Sequence, residues 1–275
     1  MPAATVAQSL PYVNWVVLLS LALGCQVAYA VGRLATAATR GYLAFTAACA
    51  FVFAGLDWLT DGALPPPTGM AIVASPGLDG VRRLLLGLFA LLCLASLLAL
   101  LLGRPSAWLD LGAVAVGAAT AVVAAVGWSG GIMAGIPAAV ELLVLAAATG
   151  GCLAAMVLGH WYLVTPHLSE RPLVLGARLL TAVIAVQLLL FIVWSAAGVG
   201  SGRPFGALVG SAAVFVWLRL LVGLLFPLVL SWMAWQTART RSMESATGLL
   251  YLDLAAVAAG TIVAAGLWLG PGILV

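Results

Sequence analysis

Both histidines of the chain fall in one stretch, GHWYLVTPHLSERP, Gly159 to Pro172, beside a tryptophan, a tyrosine, a glutamate and an arginine. Histidine titrates near neutral pH and ligates metals, so this set has the chemistry of a quinone pocket or of a haem ligand. In the quinone reading, His160 and Tyr162 hydrogen-bond the head group and Trp161 forms a wall. His167 and Arg178 stand close by to handle protons and charge. In the haem reading, His160 is the metal ligand of a haem b, and Met156 or a residue of another chain supplies the second axial position. The two histidines are seven residues apart, about 10 Å along a continuous helix, and Pro166 ends a helix between them. They cannot clamp one haem from opposite sides, which excludes a bis-histidine haem within this chain alone. A third reading needs no ligand: Trp and Tyr favour the membrane boundary, and a histidine at a helix C-terminus meets the exposed carbonyls there.

Arg219 is the second anomaly, set in the apolar run FVWLRLLVGLLFP. An arginine in the middle of a bilayer costs at least about 2.5 to 3.5 kcal/mol, so it must face the bundle interior and find a partner. Asp253, in GLLYLDLAAV of the next segment, is the expected partner in a structural ion pair. The alternative is that Arg219 binds an anionic ligand group or lines an anion route. Asp57, Asp61, Asp79 and Asp110 fall near segment ends or in a long connection, where solvation explains them. Glu141 opens the fifth segment, where a carboxylate suits a helix N-terminus.

Other chemistries leave no trace. The sequence has no P-loop, no GxSxG elbow and no HExxH motif, and Cys25, Cys49, Cys93 and Cys152 lack metal-binding spacing and read as buried thiols. No independent catalyst is indicated. The net charge of +3 is small and scattered, unlike the basic stripe that nucleic acid requires.

The elements that position these residues follow from composition. Hydrophobic residues make up 65% of the 275 and charged ones 7%, with a mean hydropathy of +1.22. This is an integral membrane composition: all-α, a polytopic helical bundle forming a single transmembrane domain over 1–275. A hydrocarbon core of about 30 Å takes about 20 apolar residues in a helix. Eight segments qualify, at 13–35, 41–59, 82–103, 107–128, 138–165, 173–199, 206–236 and 245–269. The Ala28-Tyr29-Ala30 run imitates a signal-peptidase site, but no basic residue precedes Arg33, so the first segment is expected to remain as a span. The longest connection, Thr60 to Gly80, holds three consecutive prolines and is expected along the bilayer surface or against a partner. No internal repeat relates the two halves.

Orientation follows from arginine placement. With both termini outside, the inner connections hold Arg33, Arg40, Arg104, Arg171, Arg178, Arg239 and Arg241 and the outer ones Arg82, Arg83 and Arg203, which favours N-out and C-out. The expected protein is a multi-pass subunit of the cell inner (cytoplasmic) membrane, embedded in the lipid bilayer beside other subunits of a respiratory-type redox complex. It would act as a membrane anchor and as a quinone- or haem-linked electron-transfer module near the cytoplasmic ends of helices five and six. The alternatives are a small-solute or anion transporter or channel using Arg219, and a structural or assembly protein without a ligand.

Overall fold

A computed structural model of the chain describes residues 3–165 and 168–275, with side chains from Gln8 onward. It is a helical bundle with no strand among the described residues, and eight of its helical runs are long and apolar enough to cross a membrane. Seven spans are unbroken: α1 (Ala3–Ala35), α2 (Arg40–Asp61), α3 (Pro76–Leu101), α4 (Ala107–Trp128), α5 (Ile132–Val164), α6 (Arg171–Ala197) and α9 (Met243–Leu269). The other span is divided into α7 (Ala213–Leu220), a π-helical turn (Leu221–Leu225) and α8 (Phe226–Arg239). The start of α1 and the close of α9 lie at the same end of the bundle, the near end. The α1–α2, α3–α4, α5–α6 and α8–α9 connections lie at the far end.

The helix ends follow local rules. Prolines occupy the first turn of α3 and α6, where a missing N–H costs nothing to the helix they open. Thr39 caps α2 by accepting from Tyr42 N, and Gly198 closes α6 in the left-handed conformation at φ 67°. Arg40 reaches across to donate to Leu100 O at 3.1 Å and Leu101 O at 2.6 Å, satisfying carbonyls that the end of α3 leaves open.

Helices α1, α5 and α9 form the middle of the bundle, and the other spans wrap around them. Small residues permit the tightest crossings, as expected where lipid offers no hydrophobic drive for association. At the α1–α5 crossing a Cβ on Gly150 would stand 2.6 Å from Gly24 Cα, and one on Gly24 would overlap Ala146 O. Gly223 and Gly260 bring the π turn against α9 in the same way, with a Cβ on either at 2.6 Å from the other's Cα. Midway along α5 and α9 the Thr149 and Thr261 hydroxyls meet at 2.7 Å.

The 62–75 connection packs on the ends of the helices. Ala71 N donates to Leu269 O at 3.1 Å, Val73 N to Trp128 O at 3.0 Å and the Tyr12 hydroxyl to Pro65 O at 2.5 Å. The connection's own Ile72 is buried against the bundle. The segment therefore straps the near ends of α1, α4 and α9, and its proline stiffness suits a fixed path over them.

Candidate functional site

The residues of the Gly159–Pro172 stretch do not converge. Residues two apart on a helix point about 200° from each other, and His160 is exposed while Tyr162 is buried. The Tyr162 hydroxyl donates to Ser169 O and so ties the α5–α6 turn together. Trp161 covers Gly41 of α2, where a Cβ would stand 2.6 Å from its ring. Arg178 is exposed, with its guanidinium 6.0 Å from the Trp235 ring centre. His167 lies outside the described residues. No three His, Cys, Asp or Glu side chains among the described residues group as a metal site would.

The same end of the bundle does contain a cleft. Helices α1 and α6 both pack on α5 and leave a gap of about 280 Å³ between them. Its floor is α5 at Gly151, Ala154, Ala155 and Leu158, and its walls are α1 from Gly24 to Gly32 and α6 from Pro172 to Val183. Tyr42 of α2 and Thr36 bring the polar side chains to an otherwise apolar lining. Leu179, 42% exposed, marks the lip on the side of the bundle. Small residues create this space: no atom lies within 4 Å of a Cβ added at Gly151 or Gly176, so larger side chains there would project into it.

Arg219 belongs to a different arrangement, and its partner is Glu141 and not Asp253. Its Nη2 donates to Glu141 Oε1 at 3.4 Å, Nη1 to Gly223 O at 3.3 Å and Nε to Val275 O at 3.4 Å. Depth explains the choice. Helix α5 begins at Ile132, which puts Glu141 about 14 Å inside the near end, beside Arg219 at about 9 Å, whereas Asp253 lies about 24 Å from the close of α9. Glu141 is therefore a buried ion-pair partner, not a helix-terminal charge. Asp253 instead lies against Cys152, with neither oxygen hydrogen-bonded to nitrogen or oxygen.

The Gly223 carbonyl needs Arg219 for a reason written in the sequence. In an unbroken helix that carbonyl would receive the N–H four residues on, and that residue is Pro227, which has none. Phe226 N instead donates to Leu221 O, the wider π spacing. In hydrocarbon an unmatched carbonyl is costly, and the arginine supplies the donor.

Three aspartates near segment ends are likewise buried, not solvated. Asp110 of α4 pairs with Arg33 of α1, and Asp61 of α2 with Arg82 of α3 at 2.8 Å. Asp57 is wholly buried. Spacing from a predicted boundary misled here because neighbouring spans cover the ends of these helices. The i,i+4 spacing of Asp57 and Asp61 was the available signal of a shared inward face.

The chain matches no known protein family, curated protein or solved structure. Its function is therefore argued from its own geometry.

Proposed function

We propose that this multi-pass membrane protein is a membrane-anchor subunit of a redox assembly and holds an isoprenoid quinone in the α1–α5–α6 cleft. The cleft itself carries the reading. Its lining is apolar, it opens sideways between α1 and α6, and Tyr42 brings a phenol to that lining. A ligand dissolved in the bilayer would enter between the two helices, with Tyr42 as head-group partner and the Leu175–Val183 face along its tail. Arginine placement supports a position for the cleft in the cytoplasmic half of an inner membrane. His160, exposed on the outer surface, serves a haem in this reading only with a second ligand from another chain.

The anion-route alternative is disfavoured because Arg219 is 1% exposed and engaged by acceptors from three parts of the chain. The test is quinone extraction and a reduced-minus-oxidised spectrum on gently solubilised protein, compared with Gly176→Phe and His160→Ala. Bound quinone retained in His160→Ala and lost in Gly176→Phe supports the reading. A quinone-free, colourless wild type sinks it and leaves a structural role.

A further inference from the structure

The near end carries a charge cluster that the cleft does not use. Arg82 of α3, 5% exposed, donates from Nε to Asp61 Oδ1 at 2.8 Å and from Nη1 to Asp79 Oδ1 at 2.5 Å. Trp15 Nε1 donates to the same Asp61 oxygen at 2.9 Å, and Trp15 and Trp128 flank the guanidinium at 5.8 and 5.1 Å. Arg83 lies over the Trp58 ring at 5.2 Å. A cavity of about 450 Å³ lies against this cluster under the Pro65–Pro67 strap, with Asp61, Asp79, Arg82 and Arg83 in its wall.

Asp57 stands one turn beneath Asp61 on the same face of α2, about 6 Å along the axis. It is 0% exposed and neither carboxylate oxygen has a hydrogen-bond partner, although Asp61 and Arg82 are near enough to act on its charge. Arg82 is already engaged by Asp61 and Asp79. Three carboxylates thus face two guanidinium groups, and the cluster is one positive charge short. A carboxylate buried without a partner must be neutralised.

We propose that Asp57 is a binding site for a monovalent cation, a proton or a sodium ion, admitted from the near-end cavity past Asp61. The charged groups that act on it are Asp61 on its own helix and Arg82 on α3, and Tyr12 on α1 and Asp79 and Arg83 on α3 line the cavity beyond them. Helix α5 meets α2 where Trp161 covers Gly41, at the other end. Asp61 lines the cavity and Asp57 does not, so the cation passes from a carboxylate in the cavity wall to a sealed one behind it. The missing charge makes the site selective for a single positive charge over a divalent ion.

The experiment uses the purified full chain in detergent. Its thermal midpoint is measured in NaCl against choline chloride at constant ionic strength, and separately across pH, for wild type, Asp253→Asn and Asp253→Asn with Asp57→Asn added. A ligand held only by the native state raises the midpoint with the logarithm of its concentration above Kd. If the native state binds one more proton than the unfolded chain, stability falls as pH rises. Asp253 is the other aspartate buried with neither oxygen bonded to nitrogen or oxygen, so the response to sodium, or to pH alone, is expected to persist in Asp253→Asn and to be lost when Asp57→Asn is added to it. A sodium response identifies sodium, and a pH response alone identifies the proton. A wild type indifferent to both overturns the assignment, as does a response lost in Asp253→Asn alone or kept when Asp57→Asn is added to it. Asp57→Ser replaces Asp57→Asn should the latter not fold, and calorimetric titration of the wild type with NaCl reads sodium binding without any variant.

Discussion

Arg219 Nη2 and Glu141 Oε1 stand 3.4 Å apart between α7 and α5, and with side chains 1% and 6% exposed the pair is shut off from water and lipid. The same guanidinium holds Gly223 O and Val275 O, so one side chain joins α5, the π turn and the last residues of the chain.

Removing one partner strands the other. Arg219→Met is expected to lose about 3 to 5 kcal/mol, the usual result of leaving a buried charge alone, and adding Glu141→Leu should restore most of it. Thermal midpoints of the two variants in one detergent check this. A double variant no more stable than Arg219→Met would show that the backbone contacts, and not the ion pair, hold this region.

Pro227→Ala returns the N–H that the Gly223 carbonyl lacks. The π turn should then relax toward α-helix, and Arg219→Met should cost less in that background by about 0.5 to 1.5 kcal/mol, the net value of one hydrogen bond. A double-mutant cycle measures the difference. Strict additivity would mean that Arg219 does not substitute for the missing donor.

Glycines in this bundle divide by what surrounds them. Gly150→Ala puts a Cβ 2.5 Å from Cys25 N and should cost at least about 1 to 3 kcal/mol, since backbone cannot give way as a side chain can. Gly176→Ala meets no atom within 4 Å and should be neutral within about 0.5 kcal/mol or slightly stabilising. Midpoints for the pair, measured together, test the close α1–α5 crossing directly.

The thiols should react unequally. Cys25, Cys93 and Cys152 are buried and Cys49 is half-buried, so a lipid-soluble maleimide should modify Cys49 first and the other three only on unfolding. Mass spectrometry after a short exposure counts the adducts. Early labelling at Cys152 would show that the α5–α9 interface opens.

Arginine placement predicts the orientation of the bundle. A cysteine in place of Arg104 should be labelled by an impermeant reagent from the cytoplasmic side, and one in place of Arg203 from the other side. The reverse pattern would invert the bundle and move the quinone cleft to the outer leaflet.

The sequence by itself determined that the chain is helical, crosses the membrane eight times and must bury Arg219, because hydropathy and segment length act locally and need no knowledge of neighbours. It also contained the reason for the π turn, since Pro227 lies four residues after Gly223. Partner choice was decided only by the tertiary structure. Glu141 and not Asp253 meets Arg219 because α5 starts earlier than its apolar run suggests, and relative depth depends on how whole helices slide past one another. His160 and Tyr162, neighbours in the chain, face opposite ways once the helix forms. The cleft between α1 and α6 brings together residues more than a hundred positions apart, and no local pattern marks a gap that arises from which helices fail to touch.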